Sequence, residues 1–258
     1  AAACGRPAVF LCGDEREVQV LSADLETLTG RRPVTLLGRE WQFRPGAVGS
    51  RDWERSRLAA LYALAQGDAP VVVATADGLM ARTLPPETLR SLAITLEVGG
   101  QAELGALAEQ LLSAGYTRCE QVEGVGQFAL RGGILDVFSP LMDQPVRCEF
   151  FDDEIDSMGA FDPGTQRRTR NVSSARILPA AEVLPHCAPG GLPGLADQLI
   201  ALAEKLAKKQ KTEAIVQTLR EDAERLRSGA APGAADRYLA AIYPTVTAGV
   251  HYLPPDAD

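Results

Sequence analysis

The first third of the chain switches between short continuous apolar runs and longer stretches whose apolar residues fall three or four apart. Residues 7–12 (PAVFLC) are too short and too uniformly apolar for a helix and predict a buried strand. Residues 14–28 predict a helix with acidic residues in its first turn, ended by Gly30. Residues 34–37 predict a second strand, and residues 41–50, with a proline and two glycines, a loop. Residues 51–66 carry Leu58, Leu61 and Leu64 at helical spacing, and the Val-rich run 69–74 predicts a strand buried on both faces. Thr75 is placed to cap a short helix over 76–82. A strand–helix rhythm of this kind implies parallel strands joined by crossover helices.

From about Ser91 the pattern becomes denser in strands. Residues 92–98 predict a strand, and 103–114 a helix with Leu104, Leu107 and Leu111 on one stripe and Gly115 at its end. Close-set strands are predicted over 118–122, 127–131, 134–138 and 146–151, with Gly132-Gly133 as a tight turn or bulge. This cluster reads as an antiparallel or mixed α+β insert. Residues 188–194 form a Pro/Gly linker. Two amphipathic helices follow, over 196–209 (Leu199, Leu202, Leu206) and 212–227 (Ile215, Leu219, Leu226). A short helix is predicted around 238–242 and a final strand over 245–253. No internal repeat or low-complexity tract occurs.

Composition narrows the classes. With 258 residues and 46% hydrophobic positions, the chain can bury a core without cross-links. Its net charge of −8 argues against a nucleic-acid footprint over the whole surface, which requires a basic face. Five cysteines (Cys4, Cys12, Cys119, Cys148, Cys187), odd in number and none close in sequence, indicate neither a disulfide framework nor a zinc site. They predict reduced thiols and a cytoplasmic location; no apolar run approaches a membrane span. The chain starts on Ala1 without Met, which suggests a fragment.

Catalytic signatures are missing. The chain contains no Gly-Lys pair, and so none of the phosphate loops that need G-x-x-x-x-G-K-[ST] to cradle a nucleotide. No G-x-S-x-G elbow is present, and His186 and His251 each stand alone near prolines. Asp153-Glu154-Ile155-Asp156 follows an apolar strand, as a magnesium-binding carboxylate does in an NTPase. Without a phosphate loop upstream in the chain, it reads as a solvated acidic turn. The basic residues Lys205, Lys208, Lys209, Lys211, Arg220, Arg225 and Arg227 are interleaved with Glu204, Glu213, Glu221, Asp222 and Glu224, and read as the wet side of two helices.

The informative stretch is 121–166, QVEGVGQFALRGGILDVFSPLMDQPVRCEFFDDEIDSMGAFDPGTQ. It holds a Gly-x-aromatic-x-x-Arg-Gly strand, then Ile-Leu-Asp-Val-Phe, then Arg-x-Glu-Phe-Phe-Asp-Asp-Glu-Ile, then Phe-Asp-x-x-Thr-Gln. In order and spacing these elements resemble domain 2 of the repair protein UvrB and of the bacterial transcription-repair coupling factor, Mfd. The short 41–57 segment has no room for the long aromatic hairpin of UvrB, and Asp152 stands where UvrB typically has Gly. The chain therefore resembles the N-terminal, UvrB-like region of the coupling factors.

The resemblance implies an α/β fold: a degenerate helicase-like parallel-sheet domain (1a, residues 1–93; 1b, residues 179–258) interrupted by a smaller α+β domain 2 at 94–178. It implies a docking module that recruits UvrA for transcription-coupled nucleotide excision repair, with no catalytic residue, metal or cofactor in this piece. ATP and magnesium would belong to the motor domains of the full-length family, as would contacts with RNA polymerase and DNA, and the degenerate phosphate loop would lie upstream of Ala1. In the family, a far C-terminal domain covers the docking face at rest, so this piece is expected to bind UvrA more tightly than an intact protein. The residues carried over are Arg131, Arg147 and Phe151. Arg147 and Phe151 are four positions apart, hence on one face of an extended strand. Arg and aromatic side chains are the usual anchors of protein interfaces. Period two also forbids Phe150 and Phe151 from both pointing inward on a regular strand. Alternatives from other classes are a UvrB-type DNA-binding module and an NTPase or helicase fragment using Asp153 and Glu154.

Overall fold

The computed structural model describes residues 7–38, 51–68, 71–140, 142–208 and 213–254. The fold is mixed α/β with several sheets. The loop expected at 41–50, the start of the strand expected at 69, and Lys209 and Lys211 lie outside the described residues. Two units are distinguished, residues 1–182 with 247–258, and residues 183–246.

The larger unit begins with a three-stranded parallel sheet in the order β1-β3-β2: β1 (Ala8–Cys12), β2 (Val34–Leu36) and β3 (Val71–Thr75). Central β3 is apolar up to its last residue, Thr75, because both of its faces are covered, as parallel sheets require. The crossover helix α1 (Glu15–Thr29) starts where Asp14 accepts a hydrogen bond from the Glu17 N–H and ends at Gly30, whose φ of 68° suits a residue without a Cβ. Helix α2 (Arg51–Gln66) buries Leu58, Leu61 and Leu64 as its periodicity requires. Thr75 caps α3 (Ala76–Met80) through its hydroxyl to the Gly78 N–H. A helix the sequence pattern missed, α4 (Pro86–Leu92), opens on two prolines and leads into β4 (Ile94–Glu97).

β4 pairs antiparallel with β11 (Ser174–Ile177), Ile94 opposite Ile177, so the chain enters and leaves the next layer on neighbouring strands. Between them lies a six-stranded sheet in the order β10-β9-β8-β7-β6-β5. Its strands are β5 (Thr117–Arg118), β6 (Gln127–Arg131), β7 (Ile134–Val137), β8 (Val146–Phe151), β9 (Glu154–Phe161) and β10 (Arg168–Asn171). Helix α5 (Leu104–Ser113), capped by the Glu103 carboxylate on the Gly105 and Ala106 N–H groups, covers one face. Leu107, Ala108 and Leu111 meet Phe128, Leu135, Val137, Cys148, Ile155 and Met158 there. Among the described residues, the opposite face carries a small apolar patch of Val122, Ala129, Phe138 and Phe161.

Three expectations change here. The strand expected over 118–122 is confined to Thr117–Arg118. The acidic turn expected at 153–156 is shorter, because Asp152 and Asp153 turn the chain and Glu154 already begins β9. The pairing of β8 with β9 slips between Glu149 and Phe150, so Asp156 and Ser157 share one face while Ile155 and Met158 stay in the core. Near the chain's end, the strand expected over 245–253 is a 3-10 turn at Gly249–Tyr252, tied back by the Gly249 N–H to the Ala81 carbonyl.

The smaller unit is helical. Helix α6 (Gly191–Ala207) starts inside the expected Pro/Gly linker and packs with α7 (Glu213–Arg227). The buried stripes are Leu195, Leu199 and Ala203 on one and Val216, Leu219, Ala223 and Leu226 on the other. Leu202 and Ile215, expected inside, face solvent, whereas Ala196, Ala203 and Ala223 are buried. The short helix α8 (Leu239–Ile242) follows Tyr238, whose hydroxyl donates to the buried Asp222 carboxylate at 2.5 Å. Lys205, Lys208, Arg220, Arg225 and Arg227 are exposed, and Arg227 pairs with Asp197 at 2.9 Å.

Candidate functional site

The six-stranded sheet presents the three residues singled out from the sequence on the face that α5 leaves open. Strand alternation settles this. On β8, Val146, Cys148 and Phe150 turn to the core under α5, and Arg147, Glu149 and Phe151 turn the other way. On β6, Phe128 and Leu130 go inward, which leaves Arg131 outward. Of the adjacent phenylalanines, Phe150 packs on the core and Phe151 is 76% exposed, the most exposed aromatic ring among the described residues.

Two tight hairpins hold these strands in register. The β6–β7 turn is Gly132-Gly133, with Gly132 at φ 57°. The Gly133 carbonyl accepts the Phe150 N–H at 2.7 Å, and a Cβ on Gly133 would lie 2.9 Å from the Phe150 carbonyl oxygen, so a side chain there would crowd β8. The β8–β9 turn holds Asp152 at φ 53°, directly after Phe151, which places that ring at a hairpin end.

At the centre of the open face sits Asp136, a carboxylate only 1% exposed that the sequence reading left out of the site. It lies opposite Ala129 on one neighbouring strand and Arg147 on the other. Arg147 grips it with two hydrogen bonds, Nε to Oδ1 at 2.7 Å and Nη2 to Oδ2 at 2.8 Å, and Arg131 donates Nη2 to Oδ2 at 2.8 Å. The Asp136 hydrogen bond holds the Arg147 guanidinium above its ordinary range. Arg147 also donates to the Gln166 side-chain oxygen at 3.3 Å and lies over the Phe161 ring, 4.6 Å from its centroid.

Gln166 is itself fixed. It has φ 60°, and its amide donates to the Val122 and Pro163 carbonyls at 3.1 and 2.7 Å. The turn before it is set by Asp162, whose carboxyl is held below its usual range first by the Thr165 N–H and then by the Thr165 hydroxyl. Farther along the face, Ser157 Oγ donates to Glu149 at 3.1 Å and accepts from Arg168 at 3.4 Å. The only hint of Asp136 in the sequence is a charged residue inside the apolar run Ile-Leu-Asp-Val-Phe. Nothing local in the sequence says that both arginines would converge on it.

The acidic group Asp153-Glu154-Ile155-Asp156 does not stand at the end of a parallel strand. Asp153 lies in an antiparallel hairpin turn, and Glu154 accepts from the Gln101 side chain at 3.1 Å. Among the described residues no group of three or more His, Cys, Asp or Glu is arranged to hold a metal, and no helix is long and apolar enough to cross a membrane.

Residues 94–182 match a family model described as the UvrB interaction domain. The chain is 35% identical over 86% of its length to the transcription-repair-coupling factor of Myxococcus xanthus. It is 30% identical over 96% to that of Bacillus subtilis, and 34% identical over 68% to that of Escherichia coli. It covers 19%, 21% and 15% of those relatives' lengths, so it spans about a fifth or less of each.

Proposed function

We propose that this chain, which belongs to the transcription-repair-coupling factors as their UvrB-like N-terminal region, is a non-catalytic docking module that recruits UvrA to sites of transcription-coupled excision repair. The open face of the six-stranded sheet is the docking surface, with Arg131, Arg147 and Phe151 as its site. The observation that carries the reading is Phe151. This large ring is 76% exposed at a hairpin end, turned away from the core and on the same face as a guanidinium cluster fixed on Asp136. Such a pairing of an aromatic ring with arginine is the composition of an interface hot spot.

The rest of the chain is read as scaffold. The three-stranded parallel sheet is the remnant of a helicase-like domain 1a over 1–93, with domain 2 over 94–178 and domain 1b over 179–258. The absence of any Gly-Lys pair supports a domain without a phosphate loop in this piece. Translocation along DNA, its ATP and magnesium, and contact with RNA polymerase are assigned to other parts of a full-length protein.

Titration calorimetry with UvrA tests the reading. Phe151→Ala and Arg131→Ala should each weaken binding about tenfold or more, since truncating a hot-spot anchor costs about 2 kcal/mol. Both variants should melt with the wild type. Wild-type affinity in both, or no binding by the wild type, would sink the proposal.

A further inference from the structure

Within that docking site the three residues are not equivalent, and we infer that Arg147 and Asp136 are positioning residues that act through Arg131, whose free guanidinium hydrogens receive a carboxylate of the partner. The inference rests on the docking reading above and assigns the roles within it.

A count of donors carries the argument. Arg147 has five N–H hydrogens. Its Nε is taken by Asp136, its Nη2 by Asp136 and Gln166, and its Nη1 reaches the Gln166 carbonyl at 3.5 Å. Its face is against the Phe161 ring, and its side chain is 22% exposed. A guanidinium held on its edges and one face has little left for a second protein. Arg131 is the opposite case. It spends one Nη2 hydrogen on Asp136 and is half exposed, and no described residue accepts from its Nε or Nη1.

Charge gives the partner's chemistry. Two guanidinium groups around one buried carboxylate leave that trio with a charge of +1, the part in solvent being Arg131, while Glu149 on the same face is engaged by the Ser157 hydroxyl, which also accepts from Arg168. An acidic side chain answers that charge with charge-assisted hydrogen bonds. The register places Arg131 level with Ile134 and Glu149, two residues short of Phe151 along β8. Two strand spacings of about 4.8 Å across the sheet and two residues along β8 separate them, so the partner surface offers a carboxylate about 12 Å from an apolar pocket for the ring. Asp136 has the further task of holding Arg131 upright, because a long side chain left loose loses rotamer freedom on binding.

Two mutant cycles read by calorimetry with UvrA test this. Asp136→Asn keeps the shape but removes the charge that holds Arg131, and should weaken binding about fivefold to tenfold. In an Arg131→Ala background the same change should alter the affinity less than about twofold, because nothing is left to position. Arg147→Met should behave alike: a loss alone, and little further loss beside Arg131→Ala. If Asp136→Asn fails to fold, the Arg147 cycle decides. Losses that add in the Arg131→Ala background would show that Arg147 touches the partner itself and would overturn the assignment, as would wild-type affinity in Asp136→Asn. A wild type that does not bind UvrA removes instead the docking reading on which the assignment stands.

Discussion

Replacing Arg57 by Met should destabilise the larger unit by about 3–5 kcal/mol. Arg57 and Glu182 form a buried ion pair, with side chains 2% and 3% exposed. The Arg57 Nε reaches both Glu182 oxygens at 3.1 and 3.2 Å, and its Nη1 donates to the Leu37 and Gly78 carbonyls at 3.0 and 3.1 Å. One guanidinium therefore ties the end of β2 and helix α3 to the segment that follows β11. Met fills much of the volume and supplies no donor. The buried Gly78 carbonyl and the half-buried Leu37 carbonyl lose their Arg57 hydrogen bonds, at about 1–3 kcal/mol each, and Glu182 loses the cation beside it. Removing one partner of a buried pair costs about 3–5 kcal/mol in total, the range in which the two ways of counting meet. For a chain of this size that is a fall in melting temperature of about 10 °C. Differential scanning calorimetry and urea unfolding measure it directly. The double variant Arg57→Met/Glu182→Leu should recover part of the loss, since a neutral apolar pair carries no buried charge. A loss under about 1 kcal/mol for Arg57→Met, no more than an average substitution gives, would refute the claim that this pair is a desolvated tie.

Two further outcomes follow from the same sheet. Gly133→Ala brings a Cβ to 2.9 Å from the Phe150 carbonyl oxygen, and crowding of this kind should cost about 1–3 kcal/mol by thermal melting; an unchanged melt would show that the two hairpins do not press together. Burial, and secondarily the charge of Asp136, pushes the Cys148 thiol up to about 12 from an ordinary value of 9.0. The folded state therefore favours the protonated thiol. Its stabilising contribution is complete below pH 9 and is lost as the pH rises from there toward the folded value. Urea midpoints of the wild type should fall over that window more steeply than those of Cys148→Ala, and parallel slopes would contradict the burial argument.

Period and punctuation alone determined much of this protein. The alternation along 146–151 places Arg147 and Phe151 on one face and Phe150 on the other, because side chains on a strand alternate whatever surrounds it. Thr75, Gly30 and the Gly132-Gly133 pair mark a cap, a stop and a turn through backbone chemistry that reaches only a few residues. The strands β9 to β11 were less legible. Polar residues line the solvent side of β9, where the slip at Asp156 also breaks its period, and β10 is an edge strand exposed along its whole length. What the tertiary structure decided was partnership. Arg131 and Arg147 read as two free anchors until the register of β6, β7 and β8 brought both onto Asp136, and Arg57 read as one more helix residue until Glu182 arrived from 125 positions away. Burial of a charge is set by what the fold packs around it, and no local pattern in the chain records that neighbour.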